Sequence, residues 1–207
     1  MRKPGEKTAA EMRAALSGIR CFLLDMDGTF YLGDRIIEGS MEFLQKVEQT
    51  GRSYLFLTNN SSRSVQHYVE KLGRLGLHVG EDKILTSGQA AAQYLKREYP
   101  GKRVFLLGNP SLREEMEKHG IALEDEHPDL VLVGFDTTLD YAKMTRVCDL
   151  VREGLPYIAT HPDFNCPTES GFIPDIGAIM AFIEASTGRK ADVIIGKPCG
   201  EIVRAAQ

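Results

Sequence analysis

Cysteine is scarce in this chain, and the spacing of its four cysteines excludes two kinds of cysteine-based structure. The four are Cys21, Cys148, Cys166 and Cys199. They lie far apart and form no C-x-x-C pair, so the sequence predicts neither a zinc site nor a disulfide framework. Reduced thiols are the default in the cytosol, and we therefore expect a cytoplasmic protein.

Long apolar runs and basic clusters are also lacking. The longest apolar runs, near 22–24 and 130–133, are much shorter than the roughly 20 residues of a membrane span. The segment 1–17 has no apolar core of the kind that a secretory signal needs, and we expect it to be a short helix or a frayed tail. With a formal net charge of -4 and no basic cluster, the sequence predicts no nucleic-acid partner and no membrane partner.

The chain has enough apolar residues to build a sizeable core. It contains 207 residues, of which 43% are hydrophobic and 26% are charged. This composition is typical of one or two globular domains and argues against disorder.

Two carboxylates stand directly after the first apolar run. Residues 20–24 resemble a buried parallel strand, and Asp25, Met26, Asp27, Gly28 and Thr29 follow it. Ligands of open α/β sheets bind at the carboxyl ends of strands. Like charges this close are unfavourable unless a cation shares them, and Mg²⁺ suits one or two carboxylates completed by phosphate oxygens and water. The pattern indicates a magnesium site held by Asp25 and Asp27; the alternative is an acidic turn in which Asp27 only caps a helix.

Strands and helices alternate along the chain. In the first part the pattern predicts strands at 53–58 and 84–86 and helices at 39–49, 61–75 and 87–97, the last of them capped by Ser87. A strong break at 99–102 precedes a second alternation, with strands at 104–108, 130–135 and 157–160 and helices at 111–119, 141–153 and 178–186. A strand at 191–195 is expected to return to the first domain. Such alternation predicts a doubly wound parallel sheet.

Three motifs in order carry a resemblance to a known family. Asp25-Met-Asp-Gly-Thr29, the stretch from Leu55 through Thr58-Asn59-Asn60 to Arg63, and Val193-Ile-Ile-Gly-Lys197-Pro198 each follow or end a predicted strand. Together they resemble the haloacid dehalogenase superfamily, in the branch of NagD-like and 4-nitrophenylphosphatase-like enzymes. Each motif taken alone is also compatible with an ordinary turn, and their agreement carries the assignment.

The resemblance implies a fold and a domain organisation. The expected fold is α/β, with a Rossmann-like core whose parallel sheet is incomplete at the C-terminus and an inserted α/β cap domain. The core is expected at 1–101 and 191–207, and the cap at 102–190. The family has a fourth motif, with one or two acids that complete the magnesium site, after the lysine. Because this chain stops at Gln207, we expect a truncated chain with an exposed edge strand, weakened activity and reduced stability.

The resemblance also implies a reaction and its residues. The implied enzyme is a Mg²⁺-dependent phosphatase that hydrolyses small phosphomonoesters, such as sugar phosphates, nucleotides or p-nitrophenyl phosphate, through an aspartyl-phosphate. Asp25 would be the nucleophile and Asp27 the acid and base, while Thr58 would bind a phosphoryl oxygen and Lys197 would neutralise charge. The residues expected to bind substrate are Gly28, Thr29, Asn59, Asn60, Asp163, Asn165 and Cys166, the last three in a loop at 161–171 that would otherwise be an ordinary surface connection.

Other functions remain open at this stage. A phosphomutase would pass phosphate to a second hydroxyl, and a catalytically impaired homologue would only bind a phosphorylated ligand. A dehalogenase is disfavoured because halide departure needs no acid like Asp27. The expected partner is a small phosphorylated metabolite, and a homo-oligomer formed through the cap is compatible with the sequence.

Overall fold

The computed structural model describes residues 8–168 and 171–207. These residues fall into two compact units, one ending at Phe56 and the other starting at Leu57. The domain boundaries implied by the resemblance, at 101/102 and 190/191, stay a prediction.

The first unit combines two strand pairs with two helices. Its elements are α1 (Ala9–Ser17), β1 (Cys21–Leu24), β2 (Tyr31–Leu32), β3 (Arg35–Ile36), α2 (Ser40–Gln49) and β4 (Ser53–Thr58), of which the last two residues belong to the second unit. β1 and β4 are parallel, with Cys21 opposite Ser53 and Leu24 opposite Phe56. The strand predictions at 20–24 and 53–58 are therefore confirmed to within one residue.

β1 and α1 differ in how they are bonded. Among the described strands β1 is bonded only to β4, and Leu23 is 42% exposed. α1 begins in a capping box in which Thr8 and Glu11 each accept the other's backbone N–H. The leading helix is confirmed over 9–17, and residues 1–7 of that expectation lie outside the described part.

The second unit continues the alternation of helices and strands. Its elements are α3 (Val65–Arg74), a 3-10 turn (Glu81–Lys83), β5 (Ile84–Thr86), α4 (Ser87–Glu98), β6 (Arg103–Leu107), α5 (Pro110–Lys118), β7 (Ala122–Leu123), β8 (Leu130–Val133), α6 (Tyr141–Arg152), β9 (Tyr157–Ala159), β10 (Asn165–Thr168), β11 (Gly171–Pro174), α7 (Ile176–Thr187), β12 (Val193–Ile194) and α8 (Gly200–Ala205). The parallel α/β fold class predicted from the sequence is confirmed.

A five-stranded parallel sheet organises this unit. Its strand order is β12-β9-β8-β6-β7, and each neighbouring pair is parallel. The four residues of β8 are all fully buried, which explains why the sequence shows them as an unbroken apolar run. Side chains of α6 and α7, including Val147, Val151 and Ile183, share a buried core with β8 and β9.

The strand expected at 191–195 is present as β12, and its expected return to the first domain stays a prediction. β12 is hydrogen-bonded to β9, with Val193 opposite Ile158. The register continues beyond the strand, because the backbone N–H of Ile195 donates to Ala159 O and that of Gly196 donates to Thr160 O. This pairing joins residues that are far apart in sequence, so the local pattern at 191–195 could not reveal it.

Two predicted helix starts and one predicted cap needed correction, and the observed capping residue explains each. The helix predicted from Ser61 begins at Val65, because the Ser64 hydroxyl accepts the His67 N–H. Thr86, and not Ser87, caps α4 through a capping box with Gln89. The helix predicted from Ala178 begins two residues earlier, at Ile176, since the Asp175 carboxylate accepts the Ile176 N–H.

Two short antiparallel strand pairs were not predicted from the sequence. β2 pairs with β3, and β10 pairs with β11, with Asn165 opposite Pro174 and Thr168 opposite Gly171. Residues 169 and 170, which belong to the predicted loop at 161–171, lie outside the described part. Across residues 8–168 and 171–207, the helices fall short of the length and apolar character that crossing a bilayer requires.

Candidate active site

Asp25 and Asp27 lie on a tight turn at the end of β1. The Met26 carbonyl accepts the backbone N–H groups of Thr29, Phe30 and Tyr31, at 3.3, 2.9 and 3.2 Å. Gly28 has a φ of 78°, in the left-handed region where a side chain is strained, and its N–H donates to Tyr31 O at 2.8 Å. The glycine in the motif therefore permits the turn that presents the two carboxylates.

A hydroxyl from the same turn is bonded to each carboxylate. The Thr29 hydroxyl donates to Asp25 Oδ2 and the Tyr31 hydroxyl donates to Asp27 Oδ2, both at 3.3 Å. Tyr31 is fully buried, Asp25 is half-buried and Asp27 is exposed. Asp27 thus has access to solvent while a buried ring holds its carboxylate in one orientation.

A cavity of about 390 Å³ opens beside Asp25. Its wall is largely apolar, with Phe30, Ile37 and Phe43, and Asp25 and Thr29 supply polar groups. A small molecule that carries one polar group on an apolar body would match this lining.

The donor chemistry of the turn suits magnesium. Asp25 and Asp27 offer hard carboxylate oxygens two residues apart, and one or two carboxylates are what a protein usually contributes to a Mg²⁺ ion that also binds phosphate and water. In the described part of the chain, no three side chains of His, Cys, Asp or Glu come together as a metal site. The two carboxylates are therefore the donor set to consider.

The second predicted motif forms a polar loop in the second unit. Thr58 is buried at the end of β4, and its hydroxyl oxygen accepts the Asn60 N–H at 3.2 Å. Asn60 Oδ1 in turn accepts the N–H and the hydroxyl of Ser62, both at 2.8 Å. These short-range bonds replace the helical turn that we expected from Ser61 onward.

Lys197 is brought next to this loop. Its Nζ donates to Leu57 O at 3.1 Å, its backbone N–H donates to Asn59 Oδ1 at 2.7 Å, and its carbonyl accepts from Asn59 Nδ2 at 3.0 Å. Thr58, Asn59 and Lys197 were all predicted as site residues, and the fold of the second unit brings them together.

The three predicted loop residues have different surroundings. Asp163 is exposed and its Oδ2 accepts from Asn59 Nδ2 at 2.9 Å, so it is close to the Lys197 region. Asn165 and Cys166 belong to β10, and Cys166 Sγ lies 3.7 Å from Pro167 O.

A buried polar chain beside these loops was not anticipated. The Phe135 N–H donates to Ser61 Oγ at 3.0 Å, and Ser61 Oγ lies 3.0 Å from Thr160 Oγ1. Thr160 Oγ1 lies 3.1 Å from His161 Nδ1, and His161 Nε2 lies 3.0 Å from Asp175 Oδ1.

The hydrogen bonds of this buried polar network can all be assigned with the donors pointing from Ser61 toward Asp175. Ser61 donates to Thr160, Thr160 donates to Nδ1 of His161, and Nε2–H donates to Asp175, a tautomer assigned here from the network. His161 was not among the site residues predicted from the sequence. The signal in the sequence was its position two residues after the apolar strand 157–159, where a side chain is easily buried.

Glu201 is the first acidic residue after Lys197. It lies on α8, 2.5 Å from Arg97 and 3.5 Å from Arg204. Two guanidinium partners already balance its charge.

The parallel α/β fold, the paired carboxylates after β1 in the first unit and the lysine beside a Thr-Asn loop in the second unit are features compatible with an enzyme of the hydrolase class. The chain is similar to several known proteins of this class. A family model described as haloacid dehalogenase-like hydrolase matches residues 22–122.

Two curated relatives have the same level of identity. An acid sugar phosphatase of Staphylococcus aureus is 34% identical over 180 residues, which covers 86% of this chain and 69% of the relative. A 5'-nucleotidase of Bacillus subtilis is 34% identical over 177 residues, with 86% and 69% covered.

Solved structures agree with these matches. A 4-nitrophenylphosphatase of Thermotoga maritima is 48% identical with a TM-score of 0.88, over 90% of this chain and 72% of that one. NagD of Escherichia coli is 32% identical with a TM-score of 0.82, over 91% and 73%. The chain belongs to the haloacid dehalogenase-like hydrolases, in their NagD-like branch, and the family resemblance seen in the sequence is confirmed.

Proposed function

We propose that this chain is a phosphatase that hydrolyses small phosphomonoesters with Mg²⁺ through an aspartyl-phosphate. The observation that carries the proposal is the turn after β1, where a hydroxyl of the same turn orients each of two neighbouring carboxylates. The names of its relatives, acid sugar phosphatase, 5'-nucleotidase and 4-nitrophenylphosphatase, support small phosphate esters as the substrate class.

The first half of the reaction uses both carboxylates. An Asp25 carboxylate oxygen attacks phosphorus, and the bond between phosphorus and the leaving oxygen breaks. Asp27 gives its proton to that leaving oxygen, which departs as an alcohol. The exposed position of Asp27 and its bond to Tyr31 support this role, because the carboxyl group must exchange protons with solvent and keep its orientation toward the leaving oxygen.

Water completes the second half. Asp27, now ionised, takes a proton from a water molecule while the water oxygen attacks phosphorus. The bond between phosphorus and Asp25 breaks, so inorganic phosphate and the free carboxylate are restored. Thr58 and Lys197 supply a hydroxyl and an ammonium, and we propose that these groups bind phosphoryl oxygens.

Magnesium would be held by Asp25 and Asp27. When bound, it would neutralise negative charge on the phosphoryl oxygens. The remaining residues predicted to contact substrate stay predictions at this point: Gly28, Thr29, Asn59, Asn60, Asp163, Asn165 and Cys166.

The test is phosphate release from p-nitrophenyl phosphate, with and without Mg²⁺. Asp25→Asn is expected to abolish release, and Asp27→Asn to slow it by about 10²–10⁴-fold, the usual contribution of a general acid. Asp34→Asn is the matched control, because Asp34 is an exposed aspartate of the same unit, between β2 and β3.

Each outcome separates the possibilities. Loss with Asp25→Asn and with a chelator, but not with Asp34→Asn, supports the proposal. Binding of p-nitrophenyl phosphate without release by the folded wild type contradicts it and favours a protein that only binds a phosphorylated ligand. The expected cytoplasmic location and the expected metabolite partner or homo-oligomer stay predictions.

A further inference from the structure

The Asn59 carboxamide has no donor left for a substrate. A carboxamide has two N–H donors and one acceptor oxygen. Nδ2 donates to Asp163 Oδ2 at 2.9 Å and to the Lys197 carbonyl at 3.0 Å, and Oδ1 accepts the Lys197 N–H at 2.7 Å. A phosphoryl oxygen needs donors, and both donors of Asn59 are already bonded.

These bonds connect Lys197 to both sides of Thr58. Asn59 binds the backbone N–H and carbonyl of Lys197, while Leu57 O accepts from its Nζ at 3.1 Å. Leu57 and Asn59 are the residues directly before and after Thr58. The position of the ammonium relative to the Thr58 hydroxyl therefore depends on the segment 57–59.

Close packing keeps this arrangement in place. A Cβ at Gly196 would lie 2.6 Å from Asn59 Oδ1 and 2.8 Å from Thr160 O, distances that real Cβ atoms do not show. Only glycine allows the backbone before Lys197 to approach the carboxamide so closely.

Asp163 is fixed from the opposite side. Its carbonyl accepts the Gly177 N–H at 2.7 Å, and a Cβ at Gly177 would lie 2.8 Å from that same oxygen. The first turn of α7 holds the backbone of Asp163 in place. The Asp163 carboxylate therefore stays positioned to accept from Asn59, although Asp163 is exposed.

We propose that Asn59 and Asp163 are positioning residues: Asn59 fixes the backbone of Lys197, and Asp163 holds the Asn59 carboxamide. This assignment replaces the substrate contacts that the family resemblance implied for the two residues. Its effect on turnover rests on the proposed phosphatase function, whereas its effect on the Lys197 backbone does not.

The kinetic test compares Asn59→Ala with Asp163→Asn. Asn59→Ala removes the hydrogen bonds that hold the Lys197 backbone. It should lower kcat by about 10²-fold, the effect expected of a misplaced catalytic group, while KM changes little. Asp163→Asn keeps an oxygen that can accept from Nδ2, so its kcat should fall less than that of Asp163→Ala. Asp163→Ala lacks that acceptor and should lie between them in kcat.

A swapped pair provides the rescue experiment. Asn59→Asp removes both donors and puts two carboxylates against each other, so its kcat should fall at least as far as that of Asn59→Ala. Combining it with Asp163→Asn restores a donor facing an acceptor, and part of the kcat should return. Absence of rescue, or variants of either residue that raise KM and leave kcat unchanged, would overturn the proposal in favour of a substrate contact.

Hydrogen exchange at the Lys197 backbone amide tests its hydrogen bond to Asn59 independently of catalytic activity. Asn59→Ala should strongly speed exchange of that N–H, and Asp163→Asn should not. Equal exchange rates of this N–H in the wild type and in Asn59→Ala would refute the proposal that Asn59 fixes the Lys197 backbone. If the wild type releases no phosphate but the exchange pattern holds, the phosphatase proposal fails and the positioning proposal stands.

Discussion

The sharpest stability prediction concerns Asp175, which has two partners in a buried setting. Its Oδ1 accepts the Ile176 N–H at the start of α7, at 2.6 Å, and the Nε2–H of His161, at 3.0 Å. His161 is fully buried and Asp175 is 4% exposed, so water cannot easily replace a lost partner. Asp175→Ala removes both interactions at once.

The expected loss can be divided between the two partners. Losing a helix cap costs about 1 kcal/mol of unfolding free energy, and leaving the His161 N–H unpaired in the interior costs about 1–3 kcal/mol. Asp175→Ala should therefore lower the free energy of unfolding by about 3 kcal/mol. Asp175→Asn keeps an acceptor oxygen and should lose far less.

Asp140 is a matched control, because it caps a helix of the same length without a histidine partner. α6 and α7 both contain 12 residues, and Asp140 accepts the Lys143 N–H at 2.8 Å from an exposed position. Asp140→Ala should cost only the cap, about 1 kcal/mol. Urea denaturation of the two variants measures the difference. Equal losses would refute the reasoning, since they would mean that the bond to His161 contributes nothing.

Three further predictions concern single side chains. Gly196→Ala should be strongly destabilising by thermal denaturation, because the new methyl group would lie 2.6 Å from both Asn59 Oδ1 and His161 Cβ; an unchanged melting temperature would contradict that. Burial, and then the charges of nearby basic side chains, lower the pKa of His67 below 6.5, so its contribution to stability is present above pH 6.5 and is lost as the pH falls through the folded-state pKa. In His67→Gln, the urea midpoint should therefore depend less on pH below pH 6.5 than in the wild type. Identical pH profiles of the two proteins would contradict this role of His67. The Tyr157 hydroxyl is buried with no hydrogen-bond partner among the described residues, and burial raises its pKa; Tyr157→Phe should therefore leave the unfolding free energy unchanged or raise it by about 1 kcal/mol, and a clear loss would disprove this.

The elements that the sequence predicted well are those whose signal is local. β4 matches its predicted bounds because a buried strand is an apolar run that ends in polar residues. Gly28 adopts a left-handed backbone conformation, which favours glycine, so the glycine in the motif was a local sign of the turn. The helix caps were predicted less accurately, since Ser64, Thr86 and Asp175 act as caps only when their oxygens meet particular N–H groups.

The short antiparallel pairs could not be predicted for a different reason. β10 and β11 are mostly exposed, so no alternation of apolar and polar residues marks them. The pairing of β12 with β9 joins Val193 to Ile158, and such a long-range choice depends on which strand edge is available. Local periodicity contains no information about that edge.

By itself, the sequence determined the chemical groups and the alternation of strands and helices. Asp25 and Asp27 could be selected as candidates because polar residues at the end of an apolar strand mark the binding edge of a parallel sheet, and Thr58 and Lys197 were selected through the family resemblance. The tertiary structure decided which partners those groups have. Asn59 binds a residue 138 positions later, and a partner at that distance is set by the packing of the whole unit, which no local pattern encodes.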